Sequence, residues 1–164
     1  MKEEKSKKIA FLDRDGVINK CAPPHEYVTS IDNFSFNPGI FEVVTKLQND
    51  GFEIIIVTNQ RGVARNKFSE DTLQEIHAHM VSEFNKNDIA ILDIFYCPHE
   101  LDSCDCRKPL PGLLIKATTK YSVDIPHSLI ISDSMEDVIM GKNFGLGIQI
   151  FVPKDIPSSS LDSL

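Results

Sequence analysis

Apolar runs recur along the chain, and most of them end in polar clusters. Ile9 to Leu12 is apolar without alternation, as expected of a strand buried on both faces. Glu53 to Val57 is a second, β-branched run of that kind. Further strands are predicted around Ile89 to Tyr96, over Ser128 to Ser132 and over Gly147 to Val152. Helical spacing lies between them. Ile40, Val43, Val44 and Leu47 share one face, with Asn37 as the expected cap, Pro38 at the first position and Gly51 as the stop. Ser69 caps a second helix, with Glu70 and Asp71 in its first turn and Leu73, Ile76, Met80 and Phe84 as its buried stripe. His77 and His79 on this helix are not i, i+4 spaced and are expected to be surface or boundary residues. Leu113, Leu114, Ala117 and Tyr121 mark a third helix, and a fourth runs through Val138 and Met140 to Gly141.

Strand and helix in alternation predict an α/β fold, a doubly wound parallel sheet with helices on both faces. Ligands in such folds sit at the carboxyl ends of the strands. The polar clusters fall on that edge. Asp13 and Asp15, two residues apart in extended backbone, project together into one small volume after the first strand. Two carboxylates there need a cation, a proton or strong hydrogen bonds to coexist, and Mg²⁺ is the usual cation for oxygen ligands beside phosphate. An Asp-rich turn of no chemical consequence is the competing reading. The second strand ends in Thr58-Asn59-Gln60-Arg61-Gly62, and the fourth in Asp133-Ser134-Met135-Glu136-Asp137. Residues 21–30, with two prolines, read as a long loop over the Asp13/Asp15 end, either shaping a substrate pocket or merely connecting elements.

Composition narrows the class. The 164 residues, 41% hydrophobic, are expected to form one domain over 1–164, with 1–7 and 157–164 frayed. A net charge of -7 argues against a general nucleic-acid or anionic-membrane surface. Met1 to Lys8 is charged and lacks the apolar stretch of a secretory signal, and no later run approaches a membrane span. A cytoplasmic monomer is the expectation.

Three of the four cysteines and a histidine crowd into Cys97-Pro-His99-Glu-Leu-Asp-Ser-Cys104-Asp-Cys106. Cys97, His99, Cys104 and Cys106 make a set suited to tetrahedral Zn²⁺ with no position left open for chemistry. A disulfide or simple burial are the alternatives. The odd count in the cluster disfavours the first, and the acidic loop the second. Arg107 and Lys108 follow at once, so a metal would aim two cations in one direction, toward phosphate rather than open solvent.

Phe11 to Asn19, Val57-Thr58-Asn59-Gln60, Arg107-Lys108-Pro109, and Asp133 with Asp137 resemble, in order and spacing, the four motifs of the haloacid dehalogenase phosphatase superfamily. The zinc loop, the segment Thr58 to Arg65, Ile31 to Phe34 and the His25/Tyr27 loop are similar to the subgroup acting on heptose 1,7-bisphosphate and histidinol phosphate. This resemblance implies a Rossmann-like sheet with a zinc-binding loop and no separate cap domain. It implies Asp13 as nucleophile, Asp15 as general acid and base, and Thr58 and Lys108 on the transferring phosphoryl group. Mg²⁺ would be held by Asp13, the Asp15 carbonyl and Asp133, with Asp137 orienting Lys108 or metal-bound water. Arg61, Arg65 and Arg107 are assigned to a second phosphate or sugar hydroxyls, and Asn19, His25, Tyr27, Asn59 and Gln60 to further substrate contacts. The implied substrate is a small phosphorylated sugar of surface-glycan precursor synthesis. Histidinol phosphate or another small phosphomonoester is the alternative, and a zinc-pinned binding domain without catalysis is a remote third. Ser132 and Ser134 depart from the pattern, standing where a glycine and a lysine are expected.

Overall fold

Alternate side chains of the central strand enter different cores. In the computed structural model, which describes residues 5–155, β1 (Ile9–Leu12) sends Ala10 and Leu12 to one face and Ile9 and Phe11 to the other, all fully buried. That is why the run carries no polar alternation. β1 lies between β2 (Glu53–Asn59) and β4 (Leu129–Ser132), pairing Leu12 with Ile56 and with Ile131. β3 (Ile91–Cys97) and β5 (Ile148–Phe151) complete a parallel sheet of order β3-β2-β1-β4-β5. The chain winds outward from β1 through β2 to β3, then crosses to the opposite side for β4 and β5. Strand order therefore reverses between β1 and β4, where an open α/β sheet leaves a crevice.

Helices α1 (Ile40–Asn49) and α2 (Glu70–Lys86) cover one face with Val44, Leu47, Ile76, Met80 and Phe84. On the other face, α3 (Gly112–Lys120) and α4 (Met135–Phe144) contribute Leu113, Leu114, Ala117 and Met140. Each fully buried Ile, Leu or Phe is worth roughly 1.5–3 kcal/mol, so truncating one would report on folding rather than on chemistry. Ser69 caps α2 as expected, its hydroxyl accepting from the Thr72 N–H at 3.0 Å. Gly51 follows α1 with φ +88°, the left-handed turn that favours glycine.

The cap of α1 differs from expectation. The helix begins at Ile40 after Gly39, and Asn37 is buried with its side-chain amide donating to the Val17 carbonyl at 3.1 Å. Asn37 satisfies the turn after β1 instead of the helix terminus. The ends expected to fray lie mostly outside the described residues. Residues 5–7 are described, and Lys7 is held: its N–H donates to Ser122 O at 2.8 Å, and its ammonium pairs with Glu53 at 3.0 Å. Among the described residues, no helix is long and apolar enough to cross a membrane.

Candidate active site and metal cluster

The peptide after β1 stays in register with β4, Asp13 N–H donating to Ile131 O at 3.0 Å, and this sets Asp13 at the reversal of strand order. Its carboxylate is nearly buried and closely held. Oδ1 accepts the Arg14 N–H at 2.9 Å and faces Lys108 Nζ at 3.0 Å; Oδ2 lies 3.3 Å from Ser132 Oγ. Lys108 in turn lies 2.6 Å from Asp137 Oδ2 at the start of α4. Burial alone would weaken the ammonium's hold on its proton, but Asp13 and Asp137 outweigh it and raise the Lys108 pKa. A cleft of about 260 Å³ opens above these groups, lined among others by Thr58, Asn59, Arg107 and Glu136.

Asp15 has the opposite environment. Burial works against its charge, yet Arg14 Nη2, Asn19 Nδ2 and Gln60 Nε2 each approach its carboxylate at 2.9 Å and together lower its pKa. Arg14 is only 1% exposed. Its other terminal nitrogen lies 3.1 Å from His77 Nε2, and its guanidinium lies over the Phe34 ring. His77, expected at the surface or boundary, is thus buried behind the site. Burial, then the neighbouring guanidinium, pushes its pKa down to about 3, so it is neutral and accepts from arginine. Neither Arg14 nor His77 shows as a site residue in the sequence, because an arginine between aspartates and a histidine on a helix carry no periodic signal.

The expected substrate contacts divide. Asn19 is fully buried and bonds to Asp15 and the Lys20 carbonyl, so it holds the acid rather than facing a substrate. Asn59 spends its amide on the backbone of Lys108, donating to its carbonyl and accepting its N–H, both at 3.0 Å. Gln60 is buried and links Asp15 to Thr58 Oγ1, each at 2.9 Å. Arg61 and Arg65 both engage Glu100, at 3.3 and 2.8 Å, tying the loop after β2 to the cysteine loop. His25 and Tyr27 do line a second space beside Asp15, and Arg107 lines the cleft with one buried guanidinium nitrogen that has no partner among the described residues. Ser132, a departure from the expected pattern, lies 3.0 Å from Asp137 Oδ2 as well as beside Asp13, and accepts the Ser134 N–H.

Asp13 and Asp133 crowd one anionic volume. Burial and then Asp13 raise the Asp133 pKa to about 7; burial also raises Asp13, against the pull of Lys108. Hard oxygen donors that resist being anions side by side are a donor set for a divalent cation such as Mg²⁺. Gly16 makes the fit steric as well. A Cβ there would stand 2.1 Å from Asp133 Oδ2, so only glycine leaves the carboxylate its place at the strand end.

The sulfur and nitrogen atoms of Cys97, His99, Cys104 and Cys106 all lie within 4.8 Å of one another. The separations are 3.4 Å from Cys97 Sγ to His99 Nδ1, 3.5 Å from Cys97 to Cys104, 3.2 Å from His99 Nδ1 to Cys106 and 3.6 Å from Cys106 to Cys104. Zn²⁺ with Zn–S near 2.3 Å and Zn–N near 2.0 Å has tetrahedral edges of roughly 3.5–3.8 Å, close to most of these separations, and three thiols with one imidazole are a donor set for that ion. Cys97 is the last residue of β3, and Gly112 opens α3 so close to the loop that a Cβ would stand 2.4 Å from Asp105 O. The loop between them, with Arg107 and Lys108, is fixed at both ends.

Asp13 and Asp15 after β1, Thr58 on β2, a loop lysine and acids after β4, all on one rim of a parallel sheet, define a phosphatase of the haloacid dehalogenase type. Residues 8–151 match the family described as polynucleotide kinase 3 phosphatase. The D-glycero-beta-D-manno-heptose-1,7-bisphosphate 7-phosphatase of Vibrio cholerae is 37% identical over 155 residues, covering 90% of this chain and 82% of that protein. The D-glycero-alpha-D-manno-heptose-1,7-bisphosphate 7-phosphatase of Campylobacter jejuni is 39% identical over 148 residues, covering 90% and 84%. Among solved structures, the D,D-heptose 1,7-bisphosphate phosphatase from B. bronchiseptica, complexed with magnesium and phosphate, superposes with a TM-score of 0.80 at 33% identity, covering 87% of this chain and 79% of that one. The chain belongs to the polynucleotide kinase 3 phosphatase family, and within it to the heptose bisphosphate phosphatases.

Proposed function

We propose that this chain is one catalytic domain that removes the 7-phosphate of D-glycero-D-manno-heptose 1,7-bisphosphate through an aspartyl phosphate on Asp13. The observation that carries the reading is the Asp13 carboxylate, held by Lys108, the Arg14 N–H and Ser132 on the floor of a cleft, in a chain whose relatives bear that activity in their names. Asp13 Oδ bonds to phosphorus as the bond from phosphorus to the sugar oxygen breaks, and Asp15 hands that oxygen its proton. Water then attacks phosphorus, Asp15 takes the water proton, and the bond to Asp13 breaks to release inorganic phosphate.

Asp15 is ionised at rest because three donors face it. A phosphate dianion arriving beside it shifts the balance toward the protonated acid that the first step needs. Thr58 and Lys108 hold the transferring oxygens with donors already in place, and Asp137 keeps the ammonium aimed at them. Asp13, the Asp15 carbonyl and Asp133 would hold Mg²⁺, and the ion would supply positive charge that lets a carboxylate approach a phosphate dianion. Cys97, His99, Cys104 and Cys106 would hold Zn²⁺ as a structural ion with no open position for chemistry. Thiolate ligation of this kind belongs to a reducing compartment, which supports a cytoplasmic enzyme, and we read it as a monomer.

Phosphate release from the α and β anomers of the heptose bisphosphate, with histidinol phosphate alongside in magnesium buffer, tests the reading. The bisphosphate is expected to be hydrolysed with the higher kcat/KM. Preference for histidinol phosphate, or no release from any ester, would overturn it.

A further inference from the structure

Asp13, Lys108, Asp137 and Ser132 form a closed ring of buried polar groups. Lys108 Nζ closes one side, 3.0 Å from Asp13 Oδ1 and 2.6 Å from Asp137 Oδ2. Ser132 Oγ closes the other, 3.0 Å from that same Asp137 oxygen and 3.3 Å from Asp13 Oδ2. The two bridges differ in what they can give. An ammonium has protons enough for both carboxylates at once, whereas a hydroxyl has a single one. Ser132 is fully buried at the end of β4, and its oxygen accepts the Ser134 N–H at 3.1 Å, which leaves its hydrogen to the two carboxylates.

The separations place that hydrogen at rest. Asp137 is the nearer acceptor, and Asp13 already has Lys108 and the Arg14 N–H on its other oxygen. A phosphate in the cleft changes the balance, because it draws the Lys108 ammonium toward its own oxygens. Asp13 then lacks a side-chain donor whenever it carries charge, and rotation about one bond brings it the Ser132 hydrogen. As an acyl phosphate Asp13 has lost that charge and is a weak acceptor, so the hydrogen returns to Asp137.

We propose that Ser132 is a positioning residue that acts through Asp13, its hydroxyl turning from Asp137 to Asp13 as the acyl phosphate is hydrolysed. The inference rests on the phosphatase reading above and adds to it a preference between the two steps. When water attacks phosphorus, the electron pair of the bond from phosphorus to Asp13 returns to the carboxylate and the water proton goes to Asp15. The Ser132 contact is stronger in that transition state than in the phosphoenzyme, so it speeds breakdown. In the first step the order is reversed, because the carboxylate loses charge as it attacks. Ser132 therefore favours emptying the nucleophile over filling it.

The test separates the two steps with p-nitrophenyl phosphate, whose leaving group needs no proton, in rapid-mixing experiments on the unaltered protein, Ser132→Ala and Ser132→Gly. Losing the contact lowers the rate of phosphoenzyme hydrolysis about five-fold in both variants, with the nitrophenolate burst as fast as before or faster and more enzyme phosphorylated at steady state. Equal slowing of both phases, or an unchanged hydrolysis rate, would overturn the proposal. Thermal-shift titrations in magnesium buffer ask the same question without turnover, using beryllium trifluoride as the mimic of the phosphoenzyme and tetrafluoroaluminate as the mimic of its hydrolysis. Ser132→Ala is expected to weaken the aluminium complex about five-fold and leave the beryllium complex unchanged. A loss shared by both complexes marks a merely structural serine and rejects the role. Since neither probe contains a sugar, failure of the unaltered enzyme on heptose esters would count only against the proposed function.

Discussion

Lys108 Nζ lies 2.6 Å from Asp137 Oδ2, and both side chains are buried. Asp137 thus holds the ammonium against the pull of Asp13, 3.0 Å away on its other side. Released from that hold, Lys108 would close on Asp13, the proposed nucleophile, and take up the place of a phosphate oxygen.

Asp137→Asn is therefore expected to act on both stability and rate. Removing one partner of a buried pair costs about 3–5 kcal/mol, less here because Asp13 still faces the ammonium. A lower urea midpoint together with a kcat/KM reduced about 100-fold is the expected result, in line with the weight of fixed electrostatic donors. A variant with wild-type stability and turnover would show the pair to be idle.

Asp13→Asn is expected to abolish turnover without weakening the fold. The folded protein raises the Asp13 pKa, so its ionised form is disfavoured by folding at neutral pH. Removing that charge relieves the repulsion with Asp133 and Asp137 and should leave Tm unchanged or higher in metal-free buffer. Adding Mg²⁺ should raise Tm in the unaltered protein, because binding to the folded state stabilises it by mass action, and should raise it much less in the variant. Thermal scans with and without magnesium decide this; equal shifts in both proteins would remove Asp13 from the metal site.

His77 gives a pH dependence with a defined sign. Its pKa falls from an ordinary 6.5 to about 3 in the folded protein, so folding favours the neutral ring. That contribution is complete above pH 6.5 and is lost as pH falls from there toward 3, at up to about 1.4 kcal/mol per unit. His77→Gln keeps an acceptor for Arg14 but does not titrate. Between pH 7 and 5 its stability should fall about 2 kcal/mol less than that of the unaltered protein. Parallel denaturant curves at the two pH values read the difference; matching slopes would show that His77 is not held neutral.

Much of this arrangement is legible in the sequence, for identifiable reasons. A run buried on both faces has no polar alternation, so Ile9 to Leu12 announces a central parallel strand, and i, i+2 spacing puts Asp13 and Asp15 on one rim. Ligand chemistry makes Cys97, His99, Cys104 and Cys106 stand out because few other environments gather those side chains. What escaped was polar residues that turn inward. Asn19 and Asn59 look like substrate contacts, yet they spend their amides on Asp15 and on the Lys108 backbone. Arg14 and His77 form a buried support joined across 63 positions of chain, and Ser132 takes up the space between Asp13 and Asp137. Such contacts depend on which loops meet, and spacing along one segment does not encode that.

The cysteine cluster supplies the last expectation. Cys97 ends β3, Cys106 is packed in the core beside α3, and Lys108 follows two residues later, so a metal among the four ligands would fix the backbone that carries the ammonium proposed to bind phosphate. Cys104, the half-buried member, is the substitution least confounded by core packing. Cys104→Ser should leave less than one zinc per chain by elemental analysis and lower Tm, because binding to the folded protein alone is folding free energy. Loosening the loop should also weaken substrate binding more than the chemical step, since Asp13 and Asp15 hang from β1 and not from this loop. KM is then expected to rise several-fold with kcat changed less. Zinc-free protein as purified, with normal Tm, would show that the four side chains meet for packing alone.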